Sequence, residues 1–354
     1  MLKSDQLQDR LLCLDRMIER QPLAQLPTPV CEFNVSLAEK PRTLHVKLDN
    51  LTSDHYGGNK VRKLEYILHQ ARRRRCERVA TFGTVGSHHA LATAIFAARH
   101  GLPCTCFLSH QRATADIRSI LGAHLQLGTE LVHFGGQYQR RLAILRKHLW
   151  GHNPWVIPPG GTSWLGTTAF VRAGLELACQ VAAGMLPAPH RLYVATGTMG
   201  TAAGLALGLA LSGLATEVHA IRVSHTWFCN ERDLARTMRK AVSMMRRVDC
   251  SVPANLHERV NIRLRHEFFA GGYAHGDRET ATAIDFAADQ LGLALEVTYT
   301  GKAMAALLHD LRQRSASGSN CLFWNTCNSA KLQLPDTPAR GSKDLPVSFR
   351  RYLS

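Results

Sequence analysis

RVATFGTVGSHHALATAIFAARHGLPCTCFLS, residues 78–109, reads as strand, loop, helix, strand. Arg78 to Phe82 is a short β-rich run. Ala90 to Arg99 is a helix of small apolar residues, and Thr105 to Ser109 is a second strand. Two short strands joined through a helix pair in parallel, because only a long crossover returns the chain to the same end of a sheet. The same alternation continues outward. Ala113 to Leu121 reads as a helix, Glu130 to Phe134 as a strand and Tyr138 to Leu149 as a helix. Further on, strands are expected at Leu192 to Ala195, Val218 to Val223 and Cys321 to Trp324, with a helix at Arg232 to Arg247. Upstream, Leu44 to Leu48 alternates as a strand, and Val61, Leu64, Leu68 and Ala71 form one helical stripe. Residues 5–20 carry Leu7, Leu11, Leu14 and Ile18 at helical spacing. The expected class is α/β, with open, mostly parallel sheets covered by helices on both faces.

Composition narrows the function. The chain has 354 residues, of which 45% are hydrophobic and 20% charged, as in ordinary globular proteins. That length suggests two domains or one large α/β unit. No apolar run reaches the ~18 residues of a membrane span, and the charged first twenty residues have no secretory apolar core. A cytoplasmic protein is expected, with no membrane partner. Forty-three Lys and Arg against 27 Asp and Glu leave a net charge of +16, which favours acidic ligands. The basic residues are scattered, with Arg72 to Arg75 the densest run, and no aromatic platform interleaves with them. Nucleic-acid binding is therefore not expected. Ten cysteines without a CxxC pair, and histidines without an HExxH motif, give no reason to expect a disulfide scaffold or a metal site.

Three loops could hold chemistry. In Gly57-Gly58-Asn59-Lys60 two glycines allow a tight turn, and Lys60 falls in the first turn of a helix. The helix dipole disfavours a positive charge there, so the amine is more readily neutral and nucleophilic, as Schiff-base chemistry requires. A plain turn before an exposed lysine would carry the same four residues. Thr196-Gly197-Thr198-Met199-Gly200-Thr201 lies between an apolar strand and an Ala/Gly-rich helix, where backbone N–H groups face an anion. It is neither a Walker A loop nor a dinucleotide fingerprint; a phosphate monoester would be its natural guest, and an ordinary tight βα connection would carry the same residues. Gly83 to His89 ends in Ser87-His88-His89 at another helix start. Ser87 there is placed to contact an anionic group or to cap the helix, and the two histidines could donate or shuttle protons.

The chain resembles the fold type II pyridoxal-phosphate enzymes, and within them the aminocyclopropane-carboxylate deaminase and D-cysteine desulfhydrase family. LAQLPTPV (23–30), GGNKVRKLEYIL (57–68), GTVGSHHALATA (83–94), GGTSWLGTTAFVRAGLEL (160–177), TGTMGTAAGL (196–205), GGYAHGD (271–277) and TYTGKAMAAL (298–307) carry the likeness, in family order over about residues 23–330. The resemblance implies a tryptophan-synthase-β-like fold of two open twisted sheets with a cleft between domains. The larger domain would combine 25–61 with 171–330 and the smaller would span 62–170, flanked by an N-terminal helical extension (1–24) and an irregular tail (331–354). It implies pyridoxal 5'-phosphate as cofactor, a small amino-acid substrate and a homodimer. Lys60 would carry the cofactor as a Schiff base and move a substrate proton. Gly197, Thr198, Met199, Gly200 and Thr201 would hold its phosphate, and Thr326 would face its pyridine nitrogen with a neutral hydroxyl, which suits elimination. Ser87, His88 and His89 would bind the substrate carboxylate, with His88 also beside the cofactor. Tyr299 and Tyr273 match the family's active-site tyrosines.

Two positions lean to the desulfhydrase side: Thr300 follows Tyr299 where deaminases have Glu, and His89 stands where they have Gln. Four positions depart from the family. His88 replaces Asn, Met199 replaces Gly and is expected to crowd the phosphate cradle, Leu48-Asp49-Asn50 replaces Arg-Asp-Asp, and Cys327-Asn328 replaces a Gly pair. The expected activity is a lyase that eliminates from Cβ of an amino acid such as D-cysteine, giving pyruvate, sulfide and ammonia. The competing readings are a deaminase, or an impaired relative that only binds cofactor or an amino-acid ligand.

Overall fold

The computed structural model describes residues 1–37, 40–136, 138–313, 320–332 and 342–353. Helices and strands follow in the order α1 (Ser4–Met17), β1 (Val30–Leu37), β2 (Lys40–Leu48), α2 (Asn59–Arg73), β3 (Arg78–Thr84), α3 (His88–Arg99), β4 (Cys104–Ser109), α4 (Ile117–Gln126), β5 (Glu130–His133), α5 (Tyr138–Leu149), β6 (Pro154–Ile157), α6 (Trp164–Ala182), β7 (Arg191–Thr196), α7 (Gly200–Ser212), β8 (Glu217–Arg222), α8 (Glu231–Val248), β9 (Ile262–Arg265), α9 (Arg278–Leu291), α10 (Thr300–Arg312) and β10 (Cys321–Asn325). The chain divides into two compact units, Met1–Tyr66 with Thr162–Ala330, and Ile67–Gly161 with Lys331–Ser354.

The first unit is built on a six-stranded sheet in the order β1-β2-β10-β7-β8-β9. Only β1 with β2 is antiparallel; every other pair is parallel. Helices cover both faces, as the alternating pattern requires. One face packs Val46, Tyr193, Ile221 and Phe323 against Ala303, Leu307 and Ala287 of α10 and α9. The other packs Leu192, Val194, Val218 and Trp324 against α6 and α7. Those two helices approach backbone to backbone. A Cβ on Gly204 would lie 2.3 Å from the carbonyl oxygen of Thr167, and one on Gly208 2.3 Å from that of Val171. The Gly content of α7 is thus a packing requirement.

The second unit holds a four-stranded parallel sheet, β5-β4-β3-β6. Its first strand, β3, is flanked on one side by β4 and on the other by β6. Strand order therefore reverses at β3, and the loop after β3 leaves the sheet at that switch point. In the first sheet the reversal falls at β7, which lies between β8 and β10. Open α/β sheets bind ligands at the carboxyl ends of strands beside such reversals.

Some elements differ from the sequence pattern. The helix expected from Ala113 starts at Ile117. Ahead of it Thr114 Oγ1 donates to Asp116 Oδ1 at 2.5 Å, a local bond that competes with the helical backbone. The sequence reading passed over strands β1, β6 and β9 and helices α6, α9 and α10, although Phe33, Val35 and Leu37 alternate with polar residues in β1 and Ala283, Ala287 and Leu291 line one face of α9. Residues 331–354 were expected to be irregular. Pro335, Pro338 and Gly341 lie outside the described residues, and 342–352 contains two 3-10 turns. No helix among the described residues is long and apolar enough to cross a membrane.

His124 of α4 is fully buried, and neither ring nitrogen finds a hydrogen-bond partner among the described residues. Burial brings its pKa down from 6.5 to about 4. The unfolded chain therefore binds the extra proton first, and stability falls as pH drops from 6.5 towards 4. Fully expressed, that loss is about 3 kcal/mol. Urea unfolding across this window should show a steeper acid loss for the natural chain than for His124→Leu, and equal slopes would refute the assignment.

Candidate active site

Strands β2, β10 and β7 run parallel, so the chain leaves all three at the same edge of the first sheet. After β2 it folds back through Gly57 and Gly58 into α2. A Cβ on Gly57 would lie 1.9 Å from the carbonyl oxygen of Asn50, and one on Gly58, at φ 91°, would lie 2.7 Å from that of Thr326. Only glycine fits this turn. The Gly58 N–H donates to the Asp49 carbonyl (2.8 Å) and the Asn59 N–H to the Thr326 carbonyl (3.4 Å). Asn328 Oδ1 accepts the Gly57 N–H at 2.6 Å. Lys60 follows in the first turn of α2. It is partly exposed, yet the surrounding protein desolvates its ammonium and lowers its pKa to about 8. Desolvation is thus the cause, where the sequence suggested the helix dipole.

Below Lys60 lies a buried ionic network. Arg62 donates to both carboxylate oxygens of Asp49 (2.7–3.1 Å), to Glu176 (2.8 and 3.0 Å) and to Thr28 Oγ1 (3.0 Å). Lys47 Nζ donates to Glu176 Oε1 (2.6 Å), Gln180 Oε1 (2.7 Å) and the Thr28 carbonyl (2.7 Å). Trp324 Nε1 donates to Asp49 Oδ2 at 2.8 Å. Burial works against the Glu176 charge, but Arg62 and Lys47 hold its carboxyl well below the usual range. Burial pulls the Lys47 ammonium down. The network clamps the first turn of α2 to β2, β10 and α6, and so sets where Lys60 stands.

After β7 the loop Gly197 to Thr201 opens α7. Met199 takes a left-handed backbone (φ 65°) at the N-cap, the conformation glycine adopts without strain. Its side chain does not enter the cradle. It is buried among Val171, Ala203, Leu207 and Met238, so the expected crowding is absent and the cost is backbone strain instead. Asn59 Nδ2 donates to Thr201 Oγ1 at 3.1 Å, which ties the start of α2 to this loop. Thr162 Oγ1 donates to Thr198 Oγ1 at 2.7 Å, and Ser224 Oγ to the Gly197 carbonyl at 2.7 Å. A Cβ on Gly200 would meet Lys63 Nζ at 3.3 Å. Lys63 is buried, and desolvation, then the Lys60 charge, pulls its pKa well below the ordinary value. A buried cation at a helix N-terminus is the environment an anion needs. The sequence reading passed over Lys63, although its spacing from Lys60 placed both on α2.

Tyr273 and Tyr299 meet hydroxyl to hydroxyl at 2.6 Å. The Tyr299 ring lies 3.4 Å from where a Cβ on Gly197 would be, so the pair borders the phosphate loop. Two residues the sequence did not single out hold it. Glu296 accepts the N–H groups of Thr298, Tyr299 and Thr300 at 2.7–3.1 Å, capping α10. Lys302 donates to the carbonyls of Phe269 (2.8 Å) and Gly272 (2.7 Å), pinning the turn before Tyr273. Thr300 is buried with its hydroxyl on Glu296. Thr326 follows β10, its backbone beside Gly58.

In the second unit, Ser87 caps α3, its Oγ accepting the Ala90 N–H at 3.2 Å. His88 Nε2 lies 3.1 Å from Asp116 Oδ2. His89 is buried, its Nε2 paired with Thr81 Oγ1 at 2.9 Å on β3. The structure therefore brings Lys60, the Gly197–Thr201 loop, the Thr326 backbone and the tyrosine pair together in the first unit. Ser87, His88 and His89 stand together at the switch point of the second.

A desolvated lysine tied to a helix start on a parallel sheet would suit a carbonyl compound bearing an anionic group. The chain belongs to the pyridoxal-phosphate-dependent enzymes, matching that family over residues 22–326, and within it to the family of the D-cysteine desulfhydrases. It is 31% identical to a D-cysteine desulfhydrase of Serratia proteamaculans over 88% of this chain and 97% of that one. It is 30% identical to one of Salmonella paratyphi A, over 83% and 89%. Among solved structures, an ACC deaminase homologue aligns with a TM-score of 0.73 at 27% identity over 90% of this chain and 95% of that one. An L-serine ammonia-lyase of Rhizomucor miehei, at 16% identity and a TM-score of 0.59 over 86% and 94%, shares the fold. Pyridoxal 5'-phosphate is the family's cofactor. The residues present fit it: an amine of lowered pKa on Lys60, hydroxyls and N–H groups at the start of α7, and the buried Lys63 cation against Gly200.

Two stability measurements check this account. Asp49→Asn or Arg62→Met leaves buried charge uncompensated and should cost about 3–5 kcal/mol in urea unfolding. A loss below 1 kcal/mol would mean the network is not the clamp. Met199→Gly relieves the left-handed strain but empties a packed site. It should lower stability by roughly 1–2 kcal/mol while cofactor affinity, read by titration, changes less than twofold.

Proposed function

We propose that this enzyme is a lyase that eliminates a leaving group from Cβ of a small amino acid, with D-cysteine the substrate type it fits best. The observation that carries the proposal is the desolvated Lys60 tied through Asn59 to the anion cradle of α7. The similarity to D-cysteine desulfhydrases supports the substrate class. When bound, pyridoxal phosphate supplies an electron sink for charge developing at Cα. Gly200, Thr201 and Lys63 would hold its phosphate, and Thr326 would offer its ring a neutral hydroxyl. Lys60, whose amine has a pKa of about 8, would hold the cofactor, and its neutral amine is the base for the proton at Cα. Ser87 and the start of α3 bind the substrate carboxylate, and His88 with Asp116 orients that loop. The Tyr273–Tyr299 pair shares one short hydrogen bond and can pass a proton towards the leaving sulfur. Loss of the proton from Cα and sulfide from Cβ, followed by reaction with water, turns D-cysteine into pyruvate, hydrogen sulfide and ammonia.

Purified protein mixed with pyridoxal phosphate should show a visible band that borohydride locks onto Lys60, and Lys60→Ala should lack both. Gly200→Val should weaken cofactor binding at least tenfold, because its side chain would meet Thr162 and Lys63. With D-cysteine the natural chain should release pyruvate and sulfide in equal amounts. A bound cofactor with no product from D-cysteine, but 2-oxobutyrate from aminocyclopropane-carboxylate, would move the activity to deamination. A bound cofactor with no product from either would make the chain a binding protein.

A further inference from the structure

Residues 342–353 lie beyond the family match, which ends at residue 326. They form 3-10 turns at Ser342–Asp344 and Val347–Tyr352, and their side chains are not idle. Leu345 is 2% and Phe349 0% exposed. The Phe349 ring meets His110 edge-on at 5.4 Å and His133 at 5.5 Å. The Tyr352 hydroxyl sits on the backbone of Gln111, donating to its carbonyl at 2.9 Å and accepting its N–H at 3.3 Å, with His110 Nδ1 at 3.2 Å. Gln111 then reaches back, its Oε1 accepting the Gly86 N–H at 3.3 Å. Gly86 precedes Ser87, the cap of α3. Ser109 completes the contact, its carbonyl accepting the Val85 N–H at 3.0 Å.

We infer that residues 342–353 are a strap that holds the Gly83–His89 loop in its ligand-binding conformation, with Tyr352 and Gln111 as positioning residues. The inference rests on the proposed role of that loop in binding the substrate carboxylate. A loop with Gly83 and Gly86 has wide backbone freedom, and an anion site is strong only when its donors are ordered beforehand. Tyr352 orders Gln111, Gln111 orders Gly86, and Gly86 sets the approach of Ser87. The matched family region ends before this segment.

The test compares Tyr352→Phe, Gln111→Ala and Ser87→Ala in the full-length, cofactor-loaded protein. One readout is amide exchange in peptides covering 83–89. The other is the dissociation constant of D-alanine, which carries the carboxylate but no leaving group, read from the cofactor's visible absorbance. Tyr352→Phe keeps the ring and its packing, and cofactor absorbance reports an intact first unit. Loss of one ordering hydrogen bond should speed exchange at 83–89 and weaken D-alanine roughly three- to tenfold in Tyr352→Phe and in Gln111→Ala. Unchanged exchange in both overturns the strap. Weaker binding in Ser87→Ala alone also overturns it, while leaving the loop's proposed role intact. No change in D-alanine binding in any of the three removes the loop's role, and the strap's function with it.

Discussion

Two cations and two carboxylates share one dry volume beneath Lys60, and the rest of the site hangs from them. Arg62 sits two residues after Lys60 on α2 and meets Asp49 and Glu176 at once, while Lys47 takes the remaining side of Glu176. Each partner comes from a different place in the sequence: the end of β2, the turn after it, and the middle of α6. Trp324 of β10 and Thr28 fill the remaining hydrogen-bonding positions. A buried ion cluster of this kind is tolerable only when every member is satisfied, so its geometry admits little variation. That constraint holds the first turn of α2 in place, and with it the Lys60 amine.

The positions that depart from the family pattern have local explanations. Met199 places its side chain in the core between α6, α7 and α8 and leaves the phosphate cradle to backbone and hydroxyls. Asn328, in place of a glycine, uses its side chain to hold Gly57 and the Ala330 N–H (3.0 Å). His88, in place of an asparagine, pairs with Asp116. In each case the new side chain has a partner that a vestigial residue would not keep. These three departures are thus accommodated in the fold beside Lys60, the α7 start and the tyrosine pair.

Much of the α/β pattern was legible in the residues, because short apolar strands and periodic helices announce themselves locally. Lys60, the Gly197–Thr201 loop and Ser87 stood out in the sequence as candidates, but each pattern also fits a plain turn or a helix cap, and the family resemblance was needed to choose. Glu296, Lys302, Lys63 and Gln111 did not stand out. Each is a polar residue whose importance lies in a partner far along the chain or in its burial, and neither leaves a mark on spacing. Asp49 illustrates the same limit: in sequence it is a motif departure beside Asn50, and in the structure it is the pivot of the ionic network.

The amino-acid order by itself determined the class of fold and proposed the lysine and the anion loops, because those follow from local periodicity and from backbone freedom at glycines. Tertiary structure alone decided which charges are buried together, that Met199 turns away from the cradle, that two tyrosines 26 positions apart are hydrogen-bonded, and that residues 342–353 reach Gln111. These depend on desolvation and on contacts between distant segments, and such free energies exist only once the chain has closed around them.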